Sequence, residues 1–171
     1  MYFTMEQDRR IHNRIRFRDI DSNVCGEFLP EEFEQIQETT VLFMQGKHDS
    51  IYPDVIDSPV FMVSDELKQL LAAYDPEVIY RRVVLNQVNE GIQKKYWLVL
   101  TEKIDGLDAS SEFYPNGWDK RIVLNREKIG TRKVFKVLGM HTPKLFVHVD
   151  VSESILRRTF QGISFQAAEI R

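Results

Sequence analysis

Residues 58–85 and 142–169 carry one pattern twice. The first stretch reads SPVFMVSDELKQLLAAYDPEVIYRRVVL and the second TPKLFVHVDVSESILRRTFQGISFQAAE. Each opens on Ser-Pro or Thr-Pro and continues as an apolar strand. Each then reaches a Ser or Asp suited to capping a helix, a short amphipathic helix, a Pro or Gly break, and an alternating strand. A helix with one apolar stripe between two strands must lie on the sheet those strands join. The likeness is of pattern, with few identities, and neither stretch carries a catalytic group. It predicts a repeated strand–helix–strand unit and a surface-presenting fold.

The remaining sequence fills in the frame. Ser64 is placed to cap a helix running to about Tyr74, because its hydroxyl can accept from a free backbone N–H. Leu67, Leu70, Leu71 and Tyr74 give that helix its inner stripe, and Asp75-Pro76 ends it. Val60–Val63, Val78–Val84 and Lys95–Thr101 read as strands, the last two joined by a polar loop, Asn86–Lys94. Ile104–Asp119 reads as a long irregular connection holding Phe113, Tyr114 and Trp118; loops of that length often carry function. Ile122–Leu124, Val134–Val137, Leu145–Val149 and Ile163–Ala167 read as further strands. A second helix is expected from about Ser152 to Phe160, with Asp150-Val-Ser-Glu153 resembling a capping box. Residues 1–57 are less legible: a strand around Arg14–Arg18, a helix opening at Pro30, and a strand over Thr39–Met44. The predicted fold class is α+β, a mostly antiparallel sheet carrying two short helices. Residues 1–171 are read as a single domain.

Composition narrows the function classes. A net charge of −3 argues against a general phosphate-backbone binder. The arginines at 9, 10, 14, 16 and 18 cluster, interleaved with Ile and Phe like a charged strand edge, and an acidic segment follows at once, so no nucleic-acid partner is expected. The single cysteine excludes an internal disulfide framework and fits a reducing compartment. The segment MYFTMEQDRR has charges where a signal peptide needs an apolar core, and no apolar run is long enough for a membrane helix. A cytoplasmic protein with no membrane partner is the expectation. An exposed edge strand would allow a homodimer.

The residues offer little catalysis. Cys25 lies in no nucleophile signature, and His12, His48, His141 and His148 are scattered. No metal-ligand spacing of His and Cys occurs, so neither metal nor cofactor is expected. Asp21-Ser-Asn23-Val-Cys25-Gly26-Glu-Phe28-Leu-Pro-Glu-Glu32 resembles a calcium loop, but Cys25 stands where a hard cation needs oxygen. An ordinary turn feeding a helix accounts for the same residues. Two rivals to a pure binding role stand: a small hydrolase built from His and Asp or Glu, and a calcium-binding module over residues 21–32.

Several blocks resemble a bacterial family of immunity proteins from polymorphic toxin systems, the one numbered eleven. They are Pro59-Val-Phe-Met-Val-Ser64, Tyr96-Trp-Leu-Val-Leu, Ile104-Asp-Gly-Leu-Asp108 with Ser110 or Ser111, and Ile122-Val-Leu-Asn125 with Lys128-Ile129. Val134-Phe135, Leu145-Phe146-Val147 and Gly162-Ile-Ser-Phe165 complete the set. The resemblance covers about residues 58–170. It implies a non-enzymatic inhibitor that binds a cognate toxin domain, with no catalytic residues to carry over. An inhibitor needs exposed aromatic and charged groups on a rigid frame. Phe113, Tyr114, Trp118 and Asp119 are the candidate toxin-interface residues.

Overall fold

Alternation of apolar and polar side chains places the strands, and capping residues place the helices. The computed structural model of the chain describes residues 1–18, 32 and 34–171. In chain order the strands begin with β1 (Tyr2–Gln7), β2 (Arg16–Phe17), β3 (Thr39–Gln45), β4 (Val55–Ile56) and β5 (Met62–Ser64). Helix α1 (Asp65–Tyr74) follows, then β6 (Ile79–Gln87), β7 (Ile92–Leu100), β8 (Lys103–Ile104), β9 (Glu112–Phe113), β10 (Asp119–Arg121) and β11 (Val123–Leu124). The chain closes with α2 (Arg126–Ile129), β12 (Val134–Val137), β13 (Leu145–His148), α3 (Val149–Leu156), β14 (Ile163–Ala167) and β15 (Glu169–Ile170).

Two larger sheets result. One has the order β2-β3-β6-β7-β5-β4, the other β14-β1-β13-β12-β8. The expectation of a mostly antiparallel sheet is corrected, because β3 runs parallel to β6, β8 to β12 and β11 to β15. These pairings join segments distant in sequence, which local alternation cannot reveal. The described residues also hold three helices rather than two, the additional one being the single turn of α2.

Each longer helix connects two strands that are not neighbours. Strands β5 and β6 are both antiparallel to β7, which lies between them. Strands β13 and β14 are both antiparallel to β1, which lies between them. Ser64 caps α1 as expected, its Oγ accepting from Leu67 N at 3.3 Å. Helix α3 differs from expectation. It starts at Val149, and His148 Nδ1 accepts from Asp150 N at 3.3 Å, so the capping-box reading at Asp150–Glu153 is replaced. His148 ends a strand that must turn directly into helix, which puts the cap two residues earlier.

One core cluster takes residues from both sheets and both helices: Leu67 and Leu71 of α1, Val151 and Ile155 of α3, Val63, Val99, Met5, Leu145 and Val147. The two helices meet through Tyr74 Oη and Ser154 Oγ at 2.5 Å. A second cluster backs the six-stranded sheet with Leu42, Val83, Leu85, Tyr96 and Leu98. A third backs the five-stranded sheet with Tyr2, Phe135, Phe146, Leu124 and Ile129.

Asp54 joins the two halves. Its Oδ1 accepts from Ser64 Oγ at 2.5 Å and its Oδ2 from Gln161 N at 2.6 Å. Its backbone N donates to Gln161 O, and its carbonyl accepts from Ser64 N. Gly162 follows at φ 73°, and a Cβ there would stand 2.3 Å from Pro53 Cβ. Only glycine allows that approach.

Several bounds differ from the sequence reading. Strands β6 and β7 extend over most of the expected Asn86–Lys94 loop, leaving only a turn at Val88–Gly91. The expected strand at Arg14–Arg18 shrinks to β2, with Arg14 bridging to Ile51. Of the helix expected from Pro30, the described residues 34–36 form a turn and bend, with Ile36 N donating to Glu32 O at 3.2 Å; Pro30 itself and most of the calcium-like loop at 21–32 lie outside the described residues.

Candidate protein-docking site

The expected irregular connection at 104–119 is largely built. Its base is fixed by Asp108, whose Oδ1 accepts from Ser110 N at 2.9 Å and from Ser110 Oγ, while Oδ2 accepts from Asn125 Nδ2 at 3.3 Å. Those hydrogen bonds, Ser110's first, hold the Asp108 carboxyl below its ordinary pKa. Ser111 Oγ donates to Val123 O and accepts from Val123 N, both at 3.0 Å. The Ile104–Asp108 and Ile122–Asn125 blocks thus act as structural anchors.

From this base β9 and β10 project as a hairpin. Tyr114 N donates to Trp118 O, and Gly117 N donates back to Tyr114 O, both at 2.8 Å. Pro115 suits the first turn position because its ring fixes φ, and Asn116 Oδ1 accepts from Trp118 N at 3.2 Å. Gly117 takes φ 84°, the left-handed residue that a three-residue hairpin loop requires.

The four expected interface residues all belong to this hairpin. Phe113 is 39% exposed, and Tyr114 and Trp118 are each 52% exposed. Tyr114 and Trp118 are cross-strand neighbours at the turn, while Phe113 pairs with Asp119. Asp119 does a different job from the aromatics. Its carboxylate accepts from His141 N at 2.8 Å and Thr142 N at 2.9 Å, pinning the hairpin to the segment before β13.

The sequence reading did not find the groups that steady the hairpin. The His141 ring packs on Trp118 with centroids 4.3 Å apart. Arg121 Nε donates to Glu169 Oε2 at 2.9 Å, with a second contact through Nη2. That hydrogen bond raises the Arg121 pKa and lowers that of Glu169. Glu112 is held down first by its hydrogen bond from Lys120. The Trp118–His141 and Arg121–Glu169 contacts are long in sequence, so no local signal announces them, whereas Lys120–Glu112 crosses the hairpin itself. Also unanticipated are Val41 and Phe43, half-exposed on the outer face of β3.

Clefts of about 400, 320 and 320 Å³ lie around Pro143 and Lys144, around Glu77 and Thr101, and around Arg16 and Met44; none is lined by histidine. His148 Nδ1 lies 3.2 Å from Asp150 Oδ2, but this pair forms the α3 cap, and Lys133 Nζ also bonds that carboxylate at 2.8 Å. Among the described residues, no group of three His, Cys, Asp or Glu is placed to hold a metal. No helix among them is long and apolar enough to cross a membrane.

The fold is a mixed-sheet frame from which a braced aromatic hairpin projects. The chain belongs to the Immunity protein family (Imm11), whose model matches residues 3–169. The match reaches through residues 3–57, which the sequence resemblance left uncovered. Its function is toxin-neutralising immunity, and its partner is a protein, the cognate toxin. A search of curated proteins found no match.

Proposed function

We propose that the chain neutralises its toxin without chemistry of its own, by seating the 112–121 hairpin against the toxin domain. Phe113, Tyr114 and Trp118 supply the contact area, and Asp119 holds the hairpin at a fixed angle. The observation that carries this reading is half-exposed aromatics on a hairpin tied down at its base, its flank and its ring face. Rigid aromatic side chains lose little entropy on binding and dominate protein interfaces. The single cysteine supports an encounter in the cytoplasm. The shared core cluster supports a single domain, and the matching split connections through α1 and α3 support one unit used twice.

The test is co-purification with the product of the neighbouring gene, expected to be the toxin, followed by titration of Trp118→Ala and Tyr114→Ala. Loss of a central aromatic costs about 2 kcal/mol or more, roughly thirtyfold in Kd, at an interface hot spot. Unfolding midpoints should stay near wild type, because both side chains are half-exposed. Wild-type affinity in both variants would reject the hairpin as the docking element.

A further inference from the structure

We propose that β14 is a self-pairing edge through which two copies of this chain join their five-stranded sheets into one. Strand β14 ends that sheet and pairs only with β1 among the described residues. Its register is fixed by Ala168 N donating to Tyr2 O and Asp8 N donating to Gly162 O. In an antiparallel ladder the bonded residues alternate. Residues 162, 164, 166 and 168 therefore face β1, and the backbone N–H and C=O groups of Ile163, Phe165 and Ala167 face outward.

Those three outward residues are symmetric about Phe165. A second β14 running antiparallel places Phe165 against Phe165 and Ile163 against Ala167, with two backbone hydrogen bonds at each pairing. The edge is thus complementary to itself, as a two-fold interface requires.

Charge supports the same occupant. Edge strands are ordinarily protected by charged residues, proline or a covering segment. Residues 159–168 contain neither charge nor proline, in a chain that is 29% charged. Arg157 and Arg158 precede this run, and Glu169 with Arg171 follow it. Antiparallel pairing sets the basic end of one copy beside the neutral end of the other. The strand is also held ready: Phe165 packs edge-on against Phe3 with centroids 6.4 Å apart, and Ile163 and Phe165 pack on the core.

The experiment is sedimentation of the full chain over a concentration series, alone and with its toxin. The expected mass is twice 20.2 kDa, falling to 20.2 kDa in Ala167→Lys and Ala167→Pro. Proline at 167 removes only an outward N–H, so circular dichroism should be unchanged. A wild type that stays monomeric at every concentration overturns the proposal, as does a dimer that persists in both folded variants. Should the variants misfold, hydrogen exchange on the wild type decides. The Phe165 and Ala167 amides must slow as concentration rises, and concentration-independent exchange overturns self-pairing. A monomer whose β14 amides are protected only by toxin would assign the edge to the toxin instead. Toxin binding through the hairpin is read separately, so the two proposals fail independently.

Discussion

The connection through α1 and the connection through α3 have the same outline and opposite dependence on the rest of the chain. In the first, the strand between β5 and β6 is β7, which arrives next in sequence through the turn at Val88–Gly91. In the second, the strand between β13 and β14 is β1, from the other end of the sequence. The first therefore gains its middle strand at low loop-closure cost, and the second must close a very long loop. The outer strands differ as well. Strand β6 is covered by β3, whereas β14 has an open edge among the described residues. A local hairpin makes the first unit nearly self-sufficient, and the second is finished only by a distant strand and, on the reading above, by a second copy.

The contrast breaks most visibly at Met5. This side chain is fully buried at the middle of β1, in the cluster that holds both helices. Met5→Ala should cost about 2–5 kcal/mol, the range for a buried large-to-alanine change. Urea denaturation read by tryptophan fluorescence measures the total, and hydrogen exchange locates it. Protection should fall first in β13 and β14 and last in β6 and β7. Equal loss in both sheets would show that the two units do not differ in this way.

The helix caps give a smaller contrast. Ser64 Oγ accepts from Leu67 N and donates to Asp54, while His148 caps α3 at the same 3.3 Å with its ring edge-on to Tyr2 and Nδ1 3.2 Å from the Asp150 carboxylate. Ser64→Ala should cost about 0.5–2 kcal/mol, at the upper end because the Asp54 carboxylate also loses one of its two donors. His148→Ala should cost less. A larger loss for His148 in the same urea titration would reverse the ranking of the two caps.

What could be read from sequence follows from which contacts are local. Helix α1 and strand β14 are legible because their apolar spacing answers to a single covered face, and β12 because it is a short apolar run buried on both faces, Val134 in one cluster and Phe135 in another. Strand β1 is not, because clusters cover both its faces: Met5 points into one and Tyr2 into another. Its buried Thr4 and Gln7 erase the remaining alternation. The ends of β6 and β7 read as loop because Asn86, Gln93 and Lys94 are polar, as suits strand positions that are not fully buried. At the hairpin, Pro115-Asn116-Gly117 advertised a turn and the aromatics advertised contact. The bracing by His141 and Glu169 had no local signature, since each reaches across more than twenty residues.

The smallest expected effect again separates the two units, through the acid in the first turn of each helix. Partial burial opposes ionisation of Asp65, but hydrogen bonds from Trp97 Nε1 at 2.6 Å and from Lys95 outweigh it and lower its pKa. Asp150 is lowered chiefly by its hydrogen bond from Lys133. A carboxyl with a lower pKa folded than unfolded stabilises the fold above its unfolded value, near 4. That contribution disappears as pH falls through the lowered folded value. Both acids should therefore steepen the loss of stability from about pH 5 downward. Asp65 sits against the Trp97 indole, whereas Asp150 is held from solvent-facing strand and cap groups, so screening weakens the second more. Asp65→Asn should flatten the acid limb of the urea midpoint against pH, and Asp150→Asn should flatten it less. An Asp65→Asn curve parallel to wild type would mean that the Trp97 and Lys95 contacts do not distinguish the folded carboxylate from the unfolded one.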